Sequence, residues 1–309
     1  EGDISLDPAI RDQLSHDASM FELMPEAVVS PKHAKDVGQL VDWVNKVKEK
    51  QNRHISITAR SAGTDMGGGA ITESILMDMT KYFNKIGPVT SKTAQVQPGV
   101  HYRDFEFETL KHGAIMPSYP ASRDLCTVGG MVANNSGGEK SLQYGKTEKF
   151  VTELQVVLAD GKTYTIKPLT KEELDIKLAQ KDFEGELYRE LYMLIDDNYD
   201  AIKAAKPHVS KDSTAYHIWN VWDKEAGLFD LTQLIVGSQG TLGIVTDIHF
   251  RLVPAPKHSG TRVVFMRKIE GLGEILIKVL EPTPATLEGF ANYTLMLSFK
   301  LCFYFHQTL

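Results

Sequence analysis

Cysteine is nearly absent from this chain: Cys126 and Cys302 are the two thiols in 309 residues. Two thiols cannot build a disulfide framework, and their scarcity points to a reducing compartment, so the expected location is cytoplasmic. A basic excess is missing as well. The formal net charge is −6, whereas a nucleic-acid binder normally presents a basic face, so no such partner is expected. No apolar run reaches the roughly 20 residues of a transmembrane segment, which leaves only peripheral association with a membrane open. Glu1-Gly2-Asp3 opens the chain on acid rather than on the basic stretch of a signal peptide. Metal-ligand spacing is lacking too: there is no H-x-H, HExxH or CxxC, and no metal is expected.

What is present fits a soluble globular protein, with 42% apolar and 24% charged residues. The length suggests about two domains and an ample core. The chain lacks an initiator Met, and the apolar-aromatic segment Leu301-Cys302-Phe303-Tyr304-Phe305-His306 lies just before Leu309. An exposed apolar terminus is a liability. The expectation is therefore a trimmed start and a protein that continues past residue 309.

The most informative stretch is Thr127 to Gly145, TVGGMVANNSGGEKSLQYG, with the pairs Gly129-Gly130 and Gly137-Gly138 around a small-residue run. Glycines let a backbone approach a neighbour closely and reach positive φ. Asn134, Asn135 and Ser136 add short hydrogen-bonding side chains. Gly-rich turns are often plain turns, but a second stretch sharpens the reading. An apolar β-like entry at residues 54–58 runs into Arg60-Ser61-Ala62-Gly63-Thr64-Asp65. A strand entering a small-residue turn exposes consecutive N–H groups, a geometry that binds phosphate oxygens. No Gly-Lys-Ser/Thr follows this loop, and no G-x-G-x-x-G joins a strand to a helix with an acid beyond, so neither familiar nucleotide fingerprint applies. Two glycine loops of different design suggest one extended dinucleotide held twice.

Along the chain, residues 3–24 read as an acidic helical lead-in with Asp7-Pro8 as cap and first turn. A short strand follows between Pro25 and Pro31. Val37, Leu40, Val41, Val44 and Val47 keep helical spacing across residues 35–50. Strands are expected at 54–58, 74–79 and 94–99, and a helix at 102–111 with His112-Gly113 as its C-cap. Ala159-Asp160-Gly161 between two apolar runs predicts a hairpin. Residues 171–205 read as helical and 206–230 as irregular, with Trp219 and Trp222 as packing residues. A third glycine element spans 234–245, and Pro254-Ala255-Pro256 reads as a boundary. Beyond it a strand at 262–266 and a helix near 272–280 are expected. Mixed helices and hairpins favour α+β over a purely parallel sheet.

The ordered set of motifs resembles one family. It comprises Arg60-Ser-Ala-Gly-Thr-Asp65, Tyr119-Pro-Ala-Ser122, Thr127-Val-Gly-Gly130, Asn134-Asn-Ser-Gly-Gly138, Tyr144-Gly145, Ala159-Asp-Gly161 and Gly237-Ser-Gln-Gly-Thr-Leu-Gly-Ile-Val245. These are similar to the FAD-binding domain of the vanillyl-alcohol oxidase / p-cresol methylhydroxylase superfamily. Within it, the likeness is to the D-lactate dehydrogenase, glycolate oxidase subunit and D-2-hydroxyglutarate dehydrogenase branch, over about residues 25–255. The resemblance implies a lead-in at 1–24, two α+β subdomains clasping FAD over 25–255, and the beginning of an α+β cap domain, cut short, over 256–309.

By the same resemblance, the Ser61–Asp65 loop, with Arg60 at its start, holds the pyrophosphate through backbone N–H groups helped by the Thr64 hydroxyl. Gly129 and Gly130 let main chain lie against the diphosphate and ribityl chain. Pro120, Ser122, Thr127, Asn134, Ser136 and Gly137 line the flavin or ribityl chain, with Tyr144 and Gly145 in the same motif set. Ile244 and Val245 present backbone to the adenosine half. Gln239 stands where the family usually has Glu and is not placed on the cofactor. Covalently flavinylated relatives often carry His where this chain has Thr64, so the FAD is expected to be non-covalent; His101 and His112 read as structural or surface residues.

The resemblance further implies oxidation of a D-2-hydroxy acid by hydride transfer to the flavin. Electrons would pass on to a quinone, a cytochrome or an electron-transfer flavoprotein. Such chemistry needs a base for the hydroxyl proton and a cation for the carboxylate. No catalytic residue is assigned: His258, Arg262, Arg267, His306 and Glu288 are isolated residues in the cap fragment. Residues 284–288 resemble the cap's first strand. Tyr119 and Tyr216 are candidates for aromatics shaping the flavin site. The alternatives are a redox-neutral flavoprotein of the alkyl-dihydroxyacetone-phosphate synthase type and an FAD-binding fragment without turnover.

Overall fold

The computed structural model describes residues 1–51, 54–209, 211–266 and 268–307. The first sheet begins earlier than the acidic lead-in suggested. β1 (Gly2–Ser5) pairs antiparallel with β2 (Ala27–Pro31), and only α1 (Pro8–Gln13) is helical in that region. Asp7 caps α1 by accepting from the Ala9 N–H, and Pro8 occupies its first turn. The helical reading of residues 3–24 is thus corrected: Gly2 and Ile4 lie opposite Pro31 and Val29, and ladder pairing outweighs local propensity. After α2 (Ala34–Gln51), β3 (Ile57–Arg60) and β4 (Ile75–Asp78) complete a sheet of order β1-β2-β4-β3, parallel from β2 onward. The strand expected at 54–58 therefore lies two to three residues further on.

The second sheet has order β5-β6-β12-β8-β9 and is antiparallel throughout. β5 (Ile86–Val89) turns into β6 (Thr93–Val96), and α3 (Tyr102–Lys111) follows over the residues expected. Gly113, just past α3, has φ +68°, the left-handed conformation that a helix end favours and glycine adopts without strain. Next come β7 (Ala114–Ile115), α4 (Val128–Ala133) and α5 (Ser141–Tyr144). β8 (Val151–Val157) and β9 (Thr163–Ile166) form the Asp-Gly hairpin, with Gly161 at φ +75°. The charged region divides into α6 (Lys171–Ala179), α7 (Phe183–Asp197) and α8 (Tyr199–Ala204). A small hairpin of β10 (Trp222–Asp223) and β11 (Leu228–Phe229) sits within the stretch expected to be irregular. α9 (Thr232–Ile235), β12 (Ile244–Arg251) and β13 (Val253–Pro254) close this part.

Alternation decides which face of β12 is buried: Ile244, Thr246, Ile248 and Phe250 point inward, while the residues between them are half-exposed. The main core gathers Leu154, Val156, Ile248 and Phe250 with Phe105, Tyr188 and Phe229. Trp222 packs on Tyr192 and Phe229, as its reading as a packing residue requires. A smaller cluster of Val37, Met77, Met79, Phe83, Val157 and Ile244 joins the two sheets. At the same seam α2 comes so close to the hairpin that a side chain at Gly38 would overlap the Gly161 carbonyl.

Beyond residue 254 the expected strand at 262–266 is not formed, nor is one at 284–288. Val263, Val264 and Phe265 are exposed, and no described strand pairs with this stretch. The helix expected near 272–280 is present as α10 (Leu272–Leu280), followed by α11 (Asn292–Gln307). Arg267 lies outside the described residues. Among the described residues no helix is long and apolar enough to cross a membrane.

Candidate cofactor site

β3 ends at Arg60, and its parallel pairing with β4 delivers the following loop to the end of the first sheet. The loop's amides are the first notable feature. The N–H groups of Ser61, Ala62, Gly63, Thr64, Asp65 and Met66 have no acceptor among the described residues. The Asp65 carboxylate is occupied elsewhere, accepting from Gly67 N–H at 3.0 Å and Gly69 N–H at 2.8 Å. Arg60 does not reach toward the second loop. Its guanidinium is buried and donates to the Leu14 and Ala70 carbonyls at 3.3 and 3.2 Å, beneath Gly63. Burial holds this guanidinium below its ordinary pKa, against the pull of Asp17 and Asp78.

The second glycine segment meets the first directly. A Cβ on Gly130 would lie 3.5 Å from Ser61 Cβ and 3.9 Å from Thr127 Oγ1. The two neighbouring amides at the start of α4 are spoken for: Val128 donates to Val100 and Gly129 to Pro98. The Gly130 amide has no acceptor among the described residues. Thr127 precedes α4 but does not cap it; its hydroxyl is buried and has no partner. Seven open amides and one orphaned hydroxyl thus lie on two adjoining loops. Donors left unpaired at this density call for an acceptor-rich, anionic ligand.

The third glycine element locks onto the other end of α4. Gly237 and Gln239 donate to the Val132 and Ala133 carbonyls, both at 2.9 Å, so orphan carbonyls of the helix end are satisfied. Gln239, at φ +52°, also faces the first loop: its Oε1 would lie 3.3 Å from a Cβ on Gly69. Gln239, which sequence reasoning did not place on the cofactor, thus lies beside the first loop as well as at the end of α4. Ile244 and Val245 pair with Val157 and Val156 of β8. Pairing with β6 starts only at Ile248, so the opposite edge at Ile244 and Val245 carries no strand.

The remaining candidates form a neighbouring group. Gly138 is pressed onto the Tyr119 carbonyl, so closely that a side chain would overlap it, and donates to Ser141 Oγ at 2.7 Å. Gly137 likewise has no room beyond Ser141 and Lys146. Ser136 gives its carbonyl to the Thr147 hydroxyl and amide, while Asn134 is exposed and lies 3.5 Å from Ser136 Oγ. Pro120 and Ser122 form the turn that accepts from Arg123, Leu125 and Cys126. Tyr144 packs on the main core, and Gly145, at φ +80°, gives its carbonyl to Ser118 Oγ at 2.7 Å. Tyr119 is buried with its hydroxyl on Glu139 at 2.7 Å, and Tyr216 donates to or accepts from Thr241 at 2.6 Å.

Two further residues complete the group: Asn135, noted in the sequence only as a short hydrogen-bonding side chain, and Lys146, which escaped notice. Asn135, at φ +44°, is buried; its Oδ1 accepts from Glu148 N–H and its Nδ2 has no partner. Lys146 is buried beside Gly137 and donates to the Asp212 carbonyl at 2.6 Å, its pKa lowered by burial. Asn135 lies inside the glycine segment and Lys146 just past its end, where a polar residue is indistinguishable from an ordinary turn residue. Cys126 is buried, and burial pushes its thiol up to about 11, which suits an inert packing role.

Residues 25–167 match the FAD binding domain family. The chain is 28% identical to a D-2-hydroxyglutarate dehydrogenase of Pseudomonas putida over 260 residues, covering 84% of this chain and 25% of that protein. It is 28% identical to the glycolate oxidase subunit GlcD of Bacillus subtilis over 91% of this chain and 49% of that one. Against a D-lactate dehydrogenase of Anaerostipes hadrus the identity is 27%, over 80% and 41% of the two chains. The chain therefore spans about a quarter to a half of the length of these relatives. Among solved structures, an alkyldihydroxyacetonephosphate synthase superposes with a TM-score of 0.54 at 19% identity, over 82% of this chain and 37% of that one.

Proposed function

Because this chain carries an FAD-binding domain in the vanillyl-alcohol oxidase type of fold, we propose that it is the cofactor-holding part of an FAD-linked oxidoreductase acting on a D-2-hydroxy acid. The observation that carries this reading is the run of open amides at Ser61–Met66 beside the Gly130 amide and the orphaned Thr127 hydroxyl. These groups fit a diphosphate, which offers several acceptor oxygens and negative charge in one place. Ser61–Asp65 bind it through main chain, Gly130 adds one amide, and Thr127 donates its hydroxyl. The free edge at Ile244 and Val245 offers backbone groups to the adenosine half.

When bound, the flavin supplies a two-electron acceptor for the carbon bearing the substrate hydroxyl. The chain's own task is to bind and orient that cofactor. Thr64 carries no ring nitrogen, so the loop holds FAD without a covalent bond. No base is assigned here; His258, Arg262 and Glu288 lie in a region with no buried side chain among the described residues. The hydroxy-acid specificity is carried over from the named relatives, and an external electron acceptor completes the reaction.

The test is the visible spectrum of the purified chain, followed by anaerobic addition of D-2-hydroxyglutarate and of D-lactate. A flavin spectrum that acid releases in full supports non-covalent FAD. Bleaching by either acid supports the oxidoreductase reading, and a bound flavin that neither bleaches reduces it to cofactor binding alone. A chain that cannot be reconstituted with FAD overturns it.

A further inference from the structure

The first glycine loop is not self-supporting. Residues 14–23 form a small closed loop of their own: His16 bridges Glu22 in β fashion, and Leu23 N–H donates to the Ser15 carbonyl at 3.0 Å. Ser19 N–H donates to Asp17 Oδ1 at 2.8 Å and tightens the turn. This segment lies across the glycine loop and is attached at three points. The Ala18 amide donates to both the Gly63 and Asp65 carbonyls, at 3.1 and 3.0 Å. Arg60, from beneath the loop, donates to the Leu14 carbonyl and to Ala70. The Phe21 ring covers Gly68, 3.2 Å from where its Cβ would be.

The attachment has a directional consequence. A trans peptide is planar, with its C=O and the following N–H pointing opposite ways. Pinning the carbonyls of Gly63 and Asp65 to Ala18 therefore turns the N–H groups of Thr64 and Met66 away from the segment, as unpaired donors. Gly63 reaches this orientation at φ +67°, where a side chain would also overlap the Arg60 guanidinium. Six amides left without acceptors would otherwise relax toward water or toward one another. Holding them in place before the ligand arrives removes ordering cost from binding.

We propose that residues 14–21 are a strap that fixes the phosphate-binding amides of the first glycine loop, with Ala18 and Arg60 as positioning residues that act on FAD affinity without touching the cofactor. This rests on the assignment of FAD to the site. The strap's effect belongs to the diphosphate: the adenine and flavin ends gain nothing from it. It also works in reverse, since a ligand that needs the ordered loop must stabilise the strap by the same factor.

The experiment compares the wild-type chain with Ala18→Pro, which lacks the donating N–H, and with Arg60→Met, which keeps apolar bulk but loses both latching bonds. FAD is titrated by flavin fluorescence, and ADP and riboflavin are titrated as fragments. FAD and ADP are expected to weaken about tenfold in both variants, the size of one lost orienting interaction, while riboflavin is unchanged. Equal FAD affinity in wild type and variants overturns the proposal, and so does an equal loss for ADP and riboflavin, which would mean general loosening. Should both variants fail to fold, the wild-type chain decides alone. Deuterium exchange across residues 14–21 slows on adding FAD if the strap is coupled to the site, and unchanged exchange overturns it. A wild-type chain that binds no FAD sinks the cofactor assignment together with the strap; binding that is indifferent to the strap sinks the strap alone.

Discussion

The two glycine loops look alike in composition and use glycine for opposite purposes. In residues 61–69 the backbone is left with open donors, and Gly63 supplies a positive φ that turns them outward. In residues 127–138 most glycines are spent on contact: Gly129 lies on Pro98 and Gly138 on the Tyr119 carbonyl, with no space for a methyl group. Gly130 is the exception, with ordinary room toward Ser61. One loop therefore presents open donors, which the proposed function assigns to the cofactor, and the other is largely a packing joint with a single open amide, that of Gly130, in it. Glycine content alone does not separate them; what lies beside each Cα does.

The comparison is broken most forcefully at the joint. Gly138→Ala is expected to destabilise the fold by about 3 kcal/mol or more, because the obstacle is backbone rather than a movable side chain, and Gly129→Ala should follow closely. Urea denaturation of the cofactor-free protein measures both, and a loss below about 1 kcal/mol would contradict the packing account. Gly63→Ala comes next. It combines a left-handed φ costing about 1–2 kcal/mol with displacement of Arg60, and FAD titration should show weaker binding out of proportion to the lost stability. Smaller still, Gly130→Ala and Thr127→Val should leave the melting temperature of the cofactor-free protein unchanged or slightly raised, since Thr127 has no bond to lose. Thr127→Val should weaken FAD about fivefold, in keeping with the ~1 kcal/mol of the typical hydrogen bond it removes, and Gly130→Ala, which keeps its amide, should weaken FAD through the methyl group it sets between the two loops. Adjacent residues 129 and 130 would thus report fold and ligand separately.

The smallest effect lies on the second sheet. Asp247 accepts from Gln95 at 2.9 Å, with His249 at 3.4 Å, and burial raises its pKa. A raised carboxyl pKa means that the fold favours the protonated form. The resulting penalty is absent below the ordinary aspartate range near pH 4 and is complete once the pH has passed the folded pKa. Asp247→Asn should therefore raise the melting temperature slightly at pH 7, with the gap closing as the pH falls toward 4. A gap that widens in acid would reverse the assignment.

Legibility followed how local the cause was. α3 and its Gly113 stop, the Asp160-Gly161 hairpin and the Asp7 cap all rest on residues within a few positions of one another, and all appear where expected. β1 was misread because an acidic segment says nothing about the strand it will pair with. β5 escaped because Gly87-Pro88 reads as a turn, and it pairs with β6 through an irregular register. The strand expected at 262–266 had suitable residues but no neighbour to pair with. At the site, the motifs located the three loops but not the division of labour among them. Arg60 reads as a phosphate contact in sequence, and in space its guanidinium donates to the Leu14 and Ala70 carbonyls. Gln239 and Ala18 matter through residues that lie far away along the chain, and no spacing rule records that.

The seam between the sheets bears on how fast a cofactor could leave. Parting the sheets would bring Val37, Met77, Val157 and Ile244 into water, break the Asn45 bond to the Ala159 carbonyl at 2.7 Å and separate Gly38 from Gly161. Each fully exposed side chain of that size costs about 1.5–3 kcal/mol. Lifting a loop exposes far less. Departure by that lower route uncovers little new surface, so its rate should be almost indifferent to mild urea, while the rate of global unfolding climbs steeply with it.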